Sequence, residues 1–143
     1  MAATFTLRSK ARLAEVRKLA KAVMSILAED IEDQDELYDL YLALYEAATN
    51  VVRHAYAAGE AGDIELDITV APGQSVELKI MDWGSGFPCD AASCKPMETR
   101  KDSGRGLMIM SGLSHEFNVT RLGTKNIVTM KRHIQDKSWK ICA

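Results

Sequence analysis

Two runs of alternating apolar and polar residues near the middle of the chain constrain its fold more than any other feature. A period of two is typical of a strand with one buried face. Residues 71–74, Ala-Pro-Gly-Gln, are turn formers that separate the runs, so together they predict an antiparallel hairpin. The apolar positions are Ile64, Leu66, Ile68 and Val70 in the first run, and Val76, Leu78 and Ile80 in the second.

The remaining periodic segments predict three helices and three further strands. Apolar residues recur at helical spacing from Ala11 to Glu29 and from Leu37 to Ala55. A short alternating run at Thr4–Arg8 predicts a strand before them. After the hairpin, a third helix is predicted from about Gly106 to Leu113, followed by closing strands around residues 117–120 and 127–132.

This order of elements predicts an α+β fold. Helices covering one face of a mostly antiparallel sheet form a two-layer sandwich. The 143 residues fit a single domain spanning positions 1–143. Residues from Asp82 to Ser103 show no sustained period, and a loop of that length is often functional, so we expect a lid at about 87–103.

Composition narrows the class of protein. Lys and Arg total 18 against 20 Asp and Glu, a net charge of −2, which gives no support for direct nucleic-acid binding. No apolar stretch is long enough for a bilayer, and the first residues lack a secretory signal, so we expect a cytoplasmic protein without membrane contact. Three cysteines, at 89, 94 and 142, have no paired spacing, which favours reduced thiols.

Three polar motifs stand out against this background. Glu46, Asn50 and His54 recur every fourth residue within the second helix, so they are predicted to line one face. Asp82-Trp83-Gly84-Ser85-Gly86 follows the second hairpin strand, and Gly104-Arg105-Gly106-Leu107 opens the third predicted helix. Each motif is weak alone, but their order and their placement on the predicted elements make the combination specific.

The combination resembles the ATP-binding elements of the superfamily that contains gyrase, Hsp90, histidine kinases and MutL, known as the Bergerat fold. The resemblance implies ATP and Mg²⁺ as cofactors. Asn50 would supply a side-chain oxygen to the metal, whose shell is otherwise completed by phosphates and water. Glu46, one turn earlier, is the candidate catalytic base. His54 either lies near the phosphates or hydrogen-bonds within the fold.

The glycine-containing motifs would bind the nucleotide. Asp82 offers an acceptor for the exocyclic amine of adenine, and Gly84 and Gly86 allow close backbone approach to the ring. At the predicted helix start, the free N–H groups around Gly104, Gly106 and Leu107 would favour phosphate oxygens, and Arg105 would add positive charge. These assignments complete the predicted cofactor site.

Within the superfamily, the chain most resembles the anti-sigma factor serine kinases of the RsbW and SpoIIAB type. The supporting features are its length, its first strand and helix, the E-x-x-x-N-x-x-x-H-A-Y helix and the G-R-G-L motif. The resemblance implies a protein that sequesters a sigma factor or other regulator and phosphorylates a serine on a small antagonist protein. It also makes a homodimer plausible.

Two departures from the family pattern are visible. Met108 occupies a position that is often glycine in the family. Relatives often carry a Gly-Thr pair two residues before a valine, whereas Gly123-Thr124 is followed here by Lys-Asn-Ile-Val. The adenine-side role of Thr124 is therefore left open. Two function classes also remain open. One is a serine/threonine protein kinase, and the other is a non-catalytic module in which ATP only changes a partner-binding surface.

Overall fold

The predicted hairpin is present and lies at the centre of a five-stranded sheet with the order β1-β2-β3-β5-β4. All four pairs of neighbouring strands are antiparallel. The computed structural model describes residues 2–57, 60, 62–85 and 101–141, without the side chains of 101–105 and 107. The strands are β1 (Ala3–Lys10), β2 (Asp63–Ala71), β3 (Ser75–Asp82), β4 (Glu116–Leu122) and β5 (Lys125–His133).

The chain also forms three helices: α1 (Leu13–Ala28), α2 (Gln34–Asn50) and α3 (Lys101–Gly112). α1 and α2 pack against each other and bury their apolar stripes against the core. Asp33 begins α2 as its N-cap, because its carboxylate accepts the N–H groups of Asp35 and Glu36 at 2.9 and 3.4 Å. Together, the antiparallel sheet and the helices that share its core confirm the α+β sandwich expected from the sequence.

The helix-facing side of the sheet is apolar along most of its length and becomes polar at one end. Alternate residues of β2, β3 and β5 are buried there, as the period of two requires. Cross-strand pairing aligns Ile64, Asp82 and Asn126 in one row, so the two polar side chains occupy the same side as the core. This row is the edge of the core at which the candidate site lies.

The third helix begins earlier than predicted. α3 starts at Lys101, so Gly104 and Gly106 lie inside it and the prediction that they open the helix is wrong. The N–H groups without an intrahelical acceptor fall at residues 101–103 instead. Glycine disfavours helix interiors, but Gly106 is buried where α3 packs on α2, and this packing outweighs its low propensity.

Some predictions fall on residues outside the described ranges. Gly86, the three cysteines and most of the expected lid, residues 87–100, are among them. Within the described chain, none of the helices combines the length and the apolar character needed to cross a membrane.

Candidate functional site

Glu46 and Asn50 lie one turn apart near the end of α2, as predicted. The Asn50 side chain is buried, with 3% of the residue exposed. The Glu46 side chain is 22% exposed. A buried amide and a half-buried carboxylate are thus stacked on one stripe of the helix, where both can face a common ligand.

The regular helix ends at Asn50 and a wider turn follows. Val51–Ala55 form a π-helix, in which each hydrogen bond spans one more residue than in an α-helix. Residues four apart still lie close to one full turn apart on this wider helix, so the expectation that Glu46, Asn50 and His54 line one face stays a prediction for His54. His54 is half-buried on this wider turn.

Tyr56 anchors the end of the π-helix to the sheet. Its hydroxyl donates to the Asp63 carbonyl on β2 and accepts the Trp83 N–H at 2.9 Å. Burial raises the pKa of this hydroxyl above its ordinary value, so it stays protonated as a donor. The anchor fixes the π-helix relative to the strand that carries Asp82.

Arg53 is a site residue that the sequence analysis missed. From the π-helix its guanidinium returns to α2, where Nη2 donates to Thr49 Oγ1 at 3.1 Å and to Asn50 Oδ1 at 3.5 Å. The same nitrogen lies 3.8 Å from Glu46 Oε2. The signal that could have identified Arg53 is its spacing, since it lies three residues after Asn50 and seven after Glu46, separations at which side chains share one helix face.

Asp82 lies at the end of β3, as predicted, and is buried with 4% of the residue exposed. Its Oδ1 accepts the Gly84 N–H at 2.9 Å and Nδ2 of Asn126 at 2.8 Å. Asn126 in turn accepts from Arg121 Nη1 at 2.7 Å. Within the described part of the chain, Asp82 Oδ2 accepts no hydrogen bond, so this oxygen could accept from a donor group on a ligand.

Asn126 was also missed as a site residue, because it lies 44 positions from Asp82 and no local pattern links them. The sequence analysis considered Thr124 instead. Thr124 lies in the exposed turn between β4 and β5, two residues before the side chain that contacts Asp82. The signal that could have identified Asn126 is a polar residue at a position where the period of two predicts a buried side chain.

Gly84 lies against the end of the π-helix. A Cβ atom at this position would overlap the carbonyl oxygen of Ala55. The same carbonyl accepts the Ser85 N–H at 2.8 Å. Close backbone approach therefore requires glycine here, although the contact observed is with the chain itself.

Gly106 brings α3 against the Glu46–Asn50 pair. An ideal Cβ at this residue would lie 3.0 Å from Asn50 Nδ2 and 3.4 Å from Glu46 Oε2. Within the described residues, Gly106 is thus where the glycine motif of α3 contacts Glu46 and Asn50 of α2. The side chains of Arg105 and Leu107, and the whole of Gly86, lie outside the described atoms, so their predicted roles stay predictions.

The oxygen atoms of this site fit a magnesium ion that shares its shell with a substrate. Within the described ranges, no cluster of three or more His, Cys, Asp or Glu side chains could hold a metal. Magnesium keeps several waters and is bound through few protein oxygens plus phosphates. Asn50 Oδ1 is suitable as the single protein ligand, provided that it exchanges its 3.5 Å contact with Arg53 for the metal.

Comparisons with known proteins identify the family of the chain. A family model described as the histidine kinase-like ATPase domain matches residues 9–132. An anti-sigma F factor from Priestia megaterium is 30% identical over 101 residues, which cover 68% of this chain and 69% of that protein. A blue-light-activated histidine kinase from Erythrobacter litoralis is 33% identical over 89 residues, but the chain spans only 25% of its length.

A solved structure shows the same fold. The RsbU and RsbW domains of a Mycobacterium tuberculosis protein align with a TM-score of 0.67 at 19% identity. The alignment covers 92% of this chain and 32% of that one. The serine-protein kinase RsbW of Oceanobacillus iheyensis is 27% identical over 93 residues, covering 59% of this chain and 58% of that protein. The chain belongs to the histidine kinase-like ATPase family, in the branch that contains the anti-sigma F factors and RsbW-type kinases.

Proposed function

We propose that this protein is an ATP- and magnesium-dependent serine/threonine kinase that acts as an anti-sigma regulatory factor. It would phosphorylate a small antagonist protein and sequester a sigma factor or a comparable regulator. The names of the relatives support this assignment, since they include anti-sigma F factors and a serine-protein kinase. The observation that carries it is the half-buried Glu46 carboxylate one turn from buried Asn50, with both next to Gly106 of α3.

Each residue then has a defined task. Asp82 Oδ2 accepts from the adenine amine while Asn126 and the Gly84 N–H hold Oδ1 in place. Asn50 contributes its side-chain oxygen to magnesium, which when bound neutralises charge that develops on the phosphates. These contacts position ATP between the end of the sheet and α3.

The transfer step requires a base beside the acceptor hydroxyl. Glu46 takes the hydroxyl proton as the serine oxygen bonds to the γ-phosphorus. The bond between this phosphorus and the oxygen bridging it to the β-phosphate breaks, so that ADP leaves with the electron pair. Glu46 is suited to this because its carboxylate is only partly solvated and lies one turn from the proposed metal ligand.

The test compares wild type with Glu46→Gln. We expect the variant to bind Mg-ATP about as well as wild type by calorimetry, because the amide preserves size and shape. Transfer of label from ATP to a candidate antagonist protein should fall by roughly a hundredfold or more. Glu32→Gln, the same change at an exposed residue before α2, is the control and should transfer at the wild-type rate.

Two outcomes would contradict the proposal, the first its catalytic base and the second the kinase activity itself. Transfer undiminished by Glu46→Gln would exclude this residue as the base. If wild type binds ATP and transfers nothing to any antagonist, yet binds a sigma factor more tightly with ATP, the nucleotide acts only through its different affinity for two conformations. The protein would then be an ATP-gated binding module.

A further inference from the structure

A cavity of about 300 Å³ opens beside Glu46, on the side of α2 that faces the start of α1. Water occupies about 30 Å³ per molecule in the liquid, so the volume of the cavity is about that of ten waters. It is open to solvent and therefore reachable by a partner. The lining residues are Leu13, Tyr45, Glu46, Thr49, Val52 and Arg53.

Glu46 lies between this cavity and α3. Its Oε2 is 3.4 Å from the Cβ position of Gly106, and its side chain also forms part of the cavity wall. In phosphoryl transfer, the attacking and leaving oxygens are roughly in line across the phosphorus. A nucleotide held beside α3 and an acceptor hydroxyl arriving through the cavity would reach Glu46 from different sides, which allows the hydroxyl to lie on the side of the phosphorus opposite the leaving oxygen.

The wall nearest α1 is apolar and incompletely covered. Leu13 is 41% exposed although it is a large aliphatic residue in the first turn of α1. Val52 and Tyr45 are half-buried, and the Tyr45 ring is held by stacking on Tyr41 with centroids 5.6 Å apart. This wall suits an apolar side chain next to the hydroxyl.

Arg53 supplies the positive charge of the cavity. Its side chain is 49% exposed, and its 3.8 Å pair with Glu46 is long, so it contributes little to stability and can be exchanged. A guanidinium can accept a carboxylate through two parallel hydrogen bonds. Arg53 is the basic residue among those that line the cavity.

We propose that this cavity binds the phospho-acceptor segment of the protein substrate, an inference that rests on the proposed kinase function. The segment presents a serine or threonine hydroxyl to Glu46. A neighbouring large apolar side chain lies against Leu13 and Val52, and a nearby acidic side chain pairs with Arg53. The cavity thereby selects an acidic, partly apolar acceptor sequence.

The experiment measures acceptor preference with a peptide library that has a central serine and randomised flanking positions. Wild type and variants are incubated with labelled ATP and magnesium. Wild type should favour an acidic residue and a large apolar residue at particular flanking positions. The best peptide is then synthesised with its acid intact or replaced by lysine, and KM is measured separately for peptide and for ATP.

Two variants test the two walls. Arg53→Glu should lose the acidic preference, so the KM of the acidic peptide should rise by roughly tenfold or more relative to that of the lysine peptide. Leu13→Ser should lose only the apolar preference. Lys140→Glu and Leu122→Ser make the same changes at exposed residues that do not line the cavity, and should retain the wild-type preferences.

Several results would overturn the inference. Preferences unchanged in both variants would show that the cavity does not contact the acceptor. An equal loss of transfer to every peptide in Arg53→Glu would show that Arg53 only positions Glu46 and Asn50. If a protein antagonist is phosphorylated but no peptide is, the cavity does not recognise a short segment, while the kinase assignment stands. Absence of ATP binding would reject both the kinase assignment and the proposed acceptor site.

Discussion

Asp82 shows how a buried carboxylate is maintained at the end of a strand. An ionised carboxylate removed from water is costly unless hydrogen-bond donors replace its hydration. Asn126 and the Gly84 N–H provide these donors at 2.8 and 2.9 Å. Arg121 donates to Asn126 and extends the hydrogen-bond network to β4, the edge strand of the sheet. A nucleobase amine would then meet an acceptor already oriented by its neighbours.

Adding one methyl group at Gly106 should weaken nucleotide binding. Gly106→Ala would place a Cβ 3.0 Å from Asn50 Nδ2, closer than ordinary contact, so α3 or Asn50 must shift by a few tenths of an ångström. We expect weaker Mg-ATP binding by about tenfold, since misplacement of site groups by such distances is costly. Calorimetry measures the change.

Gly112 on the same helix is the matched control. A Cβ there would meet no atom within 4 Å. Gly112→Ala should therefore keep wild-type affinity and leave stability equal or slightly increased, because alanine favours helix. Equal affinities of the two variants would indicate that contact between α3 and Asn50 is unimportant for the nucleotide.

Among the elements, Arg132 on β5 joins two helices to the sheet. Its Nε lies 2.7 Å from Glu36 Oε2, and its Nη2 lies 2.8 Å from Asp39 Oδ2, both on α2. Its Nη1 donates to the Leu113 carbonyl at 2.7 Å, just after α3. The guanidinium of Arg132 thus holds the start of α2 and the end of α3 against β5.

Arg132→Met should destabilise the fold by about 2–4 kcal/mol, since removing one partner leaves two partly buried carboxylates and a carbonyl without their donor. Urea unfolding followed by circular dichroism measures the change. Lys131→Met, at the preceding residue, breaks only an exposed 3.9 Å pair with Glu116 and should cost less than about 1 kcal/mol. Similar losses in both variants would contradict a structural role for Arg132.

At the scale of the whole molecule, the C-terminal segment is fastened to the junction between α1 and α2. Trp139 is buried and pairs with Ile31, and the Lys140 N–H donates to the Asp30 carbonyl at 2.8 Å. The Ser138 hydroxyl donates to Asp33 at 3.0 Å. The segment after β5 therefore contributes Trp139 to the core.

The charge of Asp33 makes this junction sensitive to acid. The Ser138 hydroxyl, followed by the N–H groups of Glu36 and Asp35, lowers the pKa of Asp33 below its ordinary value of 3.8. A carboxyl whose pKa is depressed by folding stabilises the fold at pH above the unfolded pKa, and this contribution is lost as the pH falls through the folded value. Stability at this junction should thus decrease below about pH 4.

Asp33→Asn keeps a capping side chain but removes the charge, so it should reduce the decline of stability in acid. We expect it to be less stable than wild type at neutral pH, with the difference shrinking as pH falls. Thermal unfolding at a series of pH values checks this, with Asp136→Asn as an equal charge change at an exposed residue. A constant difference across the series would assign the effect to cap geometry alone.

The sequence by itself determined the hairpin, the order of helices and strands, and the positions of Glu46, Asn50 and Asp82. These follow from periods of two or 3.6 residues and from polar residues that interrupt them, all of which are local properties. The α+β sandwich follows as well, because helices with one apolar stripe must cover the apolar face of the sheet.

Only the tertiary structure decided which distant groups meet at the site. Asn126 reaches Asp82 through strand pairing, and Gly106 of α3 packs against Asn50 and Glu46 of α2. α3 continues through Gly104 and Gly106 because its packing on α2 outweighs the low helix propensity of glycine. Such contacts depend on the summed energy of the packed core, which no local pattern encodes.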